Sequence, residues 1–111
     1  MLIYKIFRAD EWAALQANGE TAGAPIDITD GYVHTSTAEQ AKETAAKHFA
    51  GEDGLVLLAL ESDSFGDELK WEPSRGGQLF PHIYRNLRLT DIIWQKPLPL
   101  VDGTHQFPDL A

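Results

Sequence analysis

The sequence predicts an α+β fold, in which one mostly antiparallel sheet carries two packed helices. The helical segments come early and most strand-like segments come late, in the order β-α-β-α-β-β-β-β. No internal repeat or linker interrupts the chain, and 111 residues with 43% apolar side chains suit one core. We therefore expect a single domain that spans residues 1–111.

The first third of the chain begins with a strand and a helix. "LIYKIF" (2–7) is rich in β-forming residues and predicts the opening strand. Residues 8–19 predict a helix, because acidic residues occupy the first turn and Asn-Gly follows the last apolar position. "ETAGAPIDITDG" (20–31) contains many turn formers and predicts a loop.

A short strand and a second helix follow. "GYVHTS" (31–36) predicts a strand in which Tyr32 and His34 share one face. The next helix is expected to start from a capping box over residues 36–39 and to run to about Phe49.

The second half predicts four strands and a tail. The strand segments are 55–60, 68–72, 79–84 and 89–100, and 101–111 is expected to lie over the surface. The continuous apolar run "LVLLAL" (55–60) predicts a central strand that is buried on both faces. Pro81 lacks an N–H group, which predicts that its strand begins at a sheet edge or a bulge.

Composition excludes several classes of function. The formal net charge of −8 disfavours broad nucleic-acid binding. There are no cysteines, no apolar run long enough to span a membrane, and no signal-peptide pattern at the N-terminus. The sequence therefore predicts a cytoplasmic protein, with no indication of a particular protein partner.

The charge is uneven along the chain. Residues 70–88 carry four basic side chains and one acid, a net +3, which leaves −11 for the rest. This segment is either a solvated loop region or the place where one small anionic group binds.

His34 ends its predicted strand directly before three hydroxyl residues and a helix start. Unpaired N–H groups at a helix N-terminus favour an anion, so His34, Thr35 and Ser36 could bind a phosphate or ribose. The alternative is structural: His34 bonds to a nearby carbonyl, and Ser36 only caps the helix.

Further candidates lie on the later strands. His82 and Tyr84 should project from one strand face about 7 Å apart, either as a pocket wall or as packed side chains. Glu72 could act as a base or stabilise a cationic transition state, and Arg75 could contact phosphate from its glycine-rich loop. Trp71 is either a stacking ring for a ligand or a buried packing residue.

Several common site patterns are missing from the sequence. The four histidines show no metal-ligand spacing, and no GxSxG, GxxxxGK or GxGxxG pattern occurs. The sequence therefore predicts no metal site and disfavours ATP and Rossmann-type dinucleotide binding.

Four blocks of sequence together resemble a known bacterial family. They are "DGYVHTSTAEQ", "HFAG", "LVLLAL" and "LKWEPSRGGQLFPHIYRNL", and the resemblance extends from Tyr4 to about Leu98. The family is domain of unknown function 952, which looks like a compact relative of the ADP-ribosyltransferase-like superfamily. That superfamily includes RNA 2′-phosphotransferases and NAD-using toxins.

The resemblance implies roles for some residues. His34 matches the early-strand histidine that contacts the NAD ribose, and Tyr84 or Trp71 is similar to the aromatic residue that stacks on nicotinamide. The transferases use a late glutamate, whereas here no glutamate follows Glu72.

The phosphotransferases are instead rich in arginines and histidines, and Arg75, His82 and Arg85 fit that pattern. The resemblance thus implies a cleft for a nucleotide-like phosphate ligand, with NAD as the candidate cofactor and a transferase as the candidate reaction class.

Two other functions stay open. One is a non-catalytic interaction module that keeps the fold without the chemistry. The other is a hydrolase of a small polar substrate with His34 or His82 as its base. The ligand-binding hypothesis requires these two histidines, 48 positions apart, to meet in one cleft.

Overall fold

A computed structural model describes residues 1–110, with Arg75 described by its backbone alone. The strands are β1 (Leu2–Phe7), β2 (Glu20–Thr21), β3 (Val33–His34), β4 (Leu55–Glu61), β5 (Leu69–Pro73), β6 (Leu79–Ile83), β7 (Leu87–Arg88), β8 (Ile92–Leu98), β9 (Leu100–Val101) and β10 (Thr104–His105). The α-helices are α1 (Ala9–Asn18), α2 (Pro25–Asp30) and α3 (Ala38–His48). The α+β class is confirmed.

The strands form two larger antiparallel sheets rather than the single sheet that we expected. One has the order β1-β4-β8 and the other β3-β6-β5, while β2–β7 and β9–β10 form small pairs. Backbone hydrogen bonds join the two sheets, since the Tyr4 N–H donates to the Ser36 carbonyl (2.8 Å) and the Ser36 N–H to the Tyr4 carbonyl (2.9 Å). This bridge brings the end of β3 beside the edge of β1.

The strand β4 is central in the sheet β1-β4-β8 and is buried on both faces, as its apolar run predicted. One face packs against Leu15 of α1 and against Val33 and Ile83 of the other sheet. The opposite face packs against Ala45 of α3. The C-terminal tail contributes Phe107 to that second cluster, so the tail covers part of the core.

The segment 20–31 contains α2 and β2, so the prediction of a loop there is wrong. Pro25 occupies the start of α2, where a missing N–H costs no helical hydrogen bond. The Ala24 N–H donates to Asp27 Oδ2 at 2.7 Å and so caps the helix. Gly31 ends it with φ of 85°. A six-residue helix shows too little periodicity to be recognised among turn formers.

The capping box of α3 lies one residue later than predicted. Thr37 Oγ1 accepts from the Gln40 N–H at 3.3 Å, and Gln40 Oε1 accepts from the Thr37 N–H at 3.0 Å. Ser36 does not cap the helix, because its N–H and carbonyl pair with Tyr4 and its hydroxyl lies 2.8 Å from Thr44 Oγ1.

Pro81 lies in β6, the middle strand of its sheet, but β3 pairs only with His82 and Ile83, so β6 begins beyond the end of β3, in keeping with the prediction of an edge at the start of the strand. The N–H group that Pro81 lacks leaves no ladder hydrogen bond to β3 unmade, because β3 ends at His34. Beyond that point the Pro81 carbonyl accepts from both the N–H (3.2 Å) and the hydroxyl (2.6 Å) of Thr35.

The Tyr4 hydroxyl leads to a first testable prediction. Tyr4 is 1% exposed, and its hydroxyl has no hydrogen-bond partner among the described residues. Because an unpaired buried hydroxyl costs about 1–3 kcal/mol, Tyr4→Phe should leave the free energy of unfolding unchanged or raise it by about 1 kcal/mol. Urea denaturation measures the change.

Tyr84→Phe is the matched control, since the Tyr84 hydroxyl donates to Glu72 at 2.6 Å. The same chemical change there should lower stability slightly. A loss of more than about 1 kcal/mol in Tyr4→Phe would contradict the prediction, because it would mean that the hydroxyl is bonded.

Candidate functional site

The two histidines that the ligand-binding hypothesis requires lie together. His34 and His82 are direct partners in the pairing of β3 with β6, and their ring centroids are 5.4 Å apart. Both line a cleft of about 520 Å³ whose walls come from β1, α2, α3 and β6. Cross-strand register therefore brings together residues that are distant in sequence.

A buried carboxylate orients His34. Asp27 Oδ1 lies 2.6 Å from His34 Nδ1 and accepts from the His34 backbone N–H at 2.9 Å. Asp27 Oδ2 accepts from Lys5 Nζ at 2.7 Å and from the Ala24 N–H at 2.7 Å. Four contacts on two oxygens fix the carboxylate, and through it the plane of the imidazole ring.

Lys5 balances the charge of Asp27 inside the protein. The Lys5 and Asp27 side chains are 6% and 0% exposed, and Lys5 Nζ also donates to the His34 carbonyl at 2.9 Å. Burial opposes ionisation of Asp27, but the hydrogen bond from His34 and the nearby Lys5 charge outweigh it, so the pKa of Asp27 is lowered. Burial lowers the pKa of Lys5, and Asp27 offsets part of that shift.

The second ring nitrogen of His34 meets another acid. His34 Nε2 lies 2.9 Å from Asp30 Oδ2, at the last residue of α2. The His34 and Asp30 side chains are 29% and 36% exposed. Both residues line the cleft, so this contact is at the surface that a ligand would reach.

A second carboxylate orients His82. Glu72 Oε1 lies 2.8 Å from His82 Nδ1 and accepts from the Tyr84 hydroxyl at 2.6 Å. The bonds from Tyr84 and His82 lower the pKa of Glu72, and the bond to Glu72 raises the pKa of Tyr84 to about 12. Both histidines thus have a carboxylate on Nδ1.

Tyr32 packs against both histidines, and it was not among the site residues predicted from the sequence. Its ring centroid is 4.6 Å from His34, 4.2 Å from His82 and 5.2 Å from Tyr84. The shared face of Tyr32 and His34 is confirmed, and this alternation was the signal that pointed to the contact.

The hydroxyl residues after His34 differ in what they do. Thr35 and Ser36 both line the cleft, and both are buried. The Thr35 hydroxyl donates to the Pro81 carbonyl, so it holds β6 beside the end of β3. Ser36 Oγ lies 2.8 Å from Thr44 Oγ1 of α3.

Other candidates are placed outside the cleft lining. Trp71 is 40% exposed and borders a separate hollow with Met1 and Leu69, so its interpretation as a buried residue is wrong. Glu72 and Tyr84 reach the cleft through His82 and Tyr32 rather than by lining it. The Arg75 side chain, predicted to contact phosphate, lies outside what the structure describes.

Sequence reasoning missed Asp27, Asp30 and Lys5. Asp27 and Asp30 lie in the segment that was predicted to be a loop, where acidic residues give no signal. Lys5 did give a signal in the sequence, because it is a cation between apolar residues of a predicted strand. A charge at such a position is buried only with a partner, which indicates a second charged group nearby.

Two further observations concern metal ions and membrane-spanning helices. Between residues 1 and 110, no group of three or more His, Asp or Glu side chains is placed to hold a metal ion. Within the same range, no helix has the length and apolar content to cross a membrane.

Comparisons with known proteins agree on a family. A family model described as "Protein of unknown function (DUF952)" matches residues 6–95. The chain is similar to the crystal structure of protein CC0527 from Caulobacter crescentus, with 48% identity, coverage of 96% of this chain and 94% of that chain, and a TM-score of 0.91. The solution NMR structure of CC0527 gives 47% identity, coverage of 94% and 90%, and a TM-score of 0.84. None of the curated proteins compared with the chain matches it.

Proposed function

We propose, from the premise that this chain belongs to the DUF952 family of proteins of unknown function, that its cleft binds a nucleotide-like phosphate ligand. The ligand class is that of NAD or ADP-ribose, which follows from the resemblance to the ADP-ribosyltransferase-like superfamily. The observation that carries the proposal is the meeting of His34 and His82 in one cleft.

The size and composition of the cleft support a small-molecule ligand. Its volume of about 520 Å³ lies within the roughly 300–1,000 Å³ typical of ligand pockets. Apolar side chains such as Ile26, Phe49 and Phe80 line one part, which suits a base or nicotinamide ring. His34, Ser36 and His82 supply the polar groups that would fix its orientation.

Charge also supports an anionic group on the ligand. The cleft lining of an acidic protein includes Lys5 and Arg8 as cations, with Asp30 as the acid, among the described side chains. Lys5 is held by Asp27 and Arg8 by Glu52, so both are fixed in place. The charged residues of the lining alone sum to +1, and each of the two cations also faces a carboxylate outside the lining.

An NMR titration with ADP-ribose, NAD and inorganic phosphate tests the proposal. We expect amide and ring shifts localised at His34, Ser36 and His82. His34→Ala should weaken binding about 10- to 100-fold, because a hydrogen bond to a charged group contributes about 1.5–3 kcal/mol.

His105→Ala is the matched control, because His105 lies on β10 against the Glu52 carbonyl and does not line the cleft. It should bind like the wild type. Equal affinity in a folded His34→Ala protein would overturn the assignment. No shifts at millimolar ligand would favour the alternative of a non-catalytic interaction module.

The resemblance to the ADP-ribosyltransferase-like superfamily also suggests a reaction class, which is group transfer from NAD. NAD would be the cofactor, His34 would hold the ribose, and Glu72 would act through His82 rather than on the ligand directly. Release of nicotinamide from NAD measures such turnover independently of binding.

A further inference from the structure

We propose that Asp30 regulates the same cleft by competing with the ligand for His34 Nε2. This inference rests on the proposed function. Asp30 Oδ2 lies 2.9 Å from His34 Nε2, the ring nitrogen that does not contact Asp27. An anionic or hydroxyl group of a ligand can bond to that nitrogen only after the carboxylate leaves.

The two acids on His34 differ in their freedom to move. Asp27 is buried and makes four contacts, two of them to backbone N–H groups and one to Lys5. The Asp30 side chain is 36% exposed, and among the described residues it contacts His34 Nε2. Asp27 therefore positions the ring, while Asp30 can rotate into solvent.

The position of Asp30 in the chain allows this exchange without moving the fold. It is the last residue of α2, and the left-handed Gly31 follows it. The backbone remains anchored there, since the Gly31 N–H donates to the Asp27 carbonyl at 2.8 Å. A side-chain rotation is then sufficient to uncover His34.

Electrostatic repulsion predicts how the removal of Asp30 changes the affinity for an anionic ligand. The Asp30 carboxylate is the acid of the cleft lining among the described side chains, and it repels an anionic ligand while it holds the imidazole. Its removal should both free Nε2 and reduce that repulsion, so anionic ligands should bind more tightly.

Calorimetric titration with ADP-ribose tests the competition. Asp30→Ala should bind about two- to fivefold more tightly than wild type, the ratio expected for removing one partly exposed carboxylate contact. Asp109→Ala is the matched control, because it removes the same charge from an exposed tail position that does not line the cleft. Measurable binding to both proteins, with equal or lower affinity for Asp30→Ala, would overturn the inference.

Modification by diethyl pyrocarbonate gives a readout that needs no ligand. The rate of ring modification at His34, mapped by mass spectrometry, should rise in Asp30→Ala, with His105 as the internal reference. An unchanged rate would overturn the competition. A raised rate with no ADP-ribose binding to either protein would overturn the proposed function and leave the masking of His34 by Asp30 in place.

Discussion

Asp27→Asn is expected to lower the free energy of unfolding by about 3–5 kcal/mol, the cost of leaving a buried charge without its partner. The Lys5 ammonium would stay buried, and an amide NH₂ would replace one oxygen that now accepts hydrogen bonds. In either orientation of the amide, its NH₂ group points at a backbone N–H group that now donates to Asp27. Urea denaturation at pH 7 measures the loss.

A double-mutant cycle with Lys5→Met is the control. Because the two side chains interact directly, the double variant should lose at least about 1 kcal/mol less than the sum of the single variants. Additive losses, or a loss below about 1 kcal/mol for Asp27→Asn alone, would contradict the account of a coupled buried pair.

The same pair gives stability a pH dependence with a defined sign. The pKa of Asp27 is lower in the folded protein than in the unfolded chain. Its ionised form therefore stabilises the fold above the unfolded pKa of about 4, and this contribution is lost as the pH falls through the folded pKa. The stability difference between wild type and Asp27→Asn should narrow accordingly below about pH 4.

Gly23→Ala is expected to be the second severe substitution, with a loss of about 2–4 kcal/mol. Gly23 has φ of 106°, and an added Cβ would lie 2.3 Å from Asp27 Oδ2. The carboxylate cannot move aside without giving up its contacts to Lys5 and Ala24. Thermal and urea unfolding measure the change.

Gly31→Ala separates the clash from backbone strain. Gly31 lies at the other end of α2 with φ of 85°, and an added Cβ there meets nothing within 4 Å. It should lose only about 1 kcal/mol, from the left-handed backbone. Similar losses in both variants would show that the clash with Asp27 contributes nothing.

The fold class and the longer helices and strands were predictable from the local pattern of apolar and polar residues. The apolar run of β4 and the spacing of α1 and α3 are local signals, and each corresponds to an element of the structure. The division into two sheets was not predictable, because β1 pairs with β4 and β3 pairs with β6 across long stretches of sequence. Pro81 shows the same limit, since its tolerance depends on where β3 ends.

The sequence identified the two histidines of the candidate site, but it did not show how they are arranged. His34 and His82 were selected by residue type and strand face, but their meeting depends on the register of β3 with β6. The carboxylates that orient them, Asp27 and Glu72, come from a short helix and a third strand. No spacing in the sequence relates these positions, because only the fold joins them.

A crystal structure determined with ADP-ribose tests the central claim most directly. The account predicts that the ligand occupies the cleft, with a polar atom within hydrogen-bond distance of His34 Nε2 and with the Asp30 carboxylate turned away. Binding in the hollow beside Trp71, or an empty cleft at millimolar ligand, would contradict it.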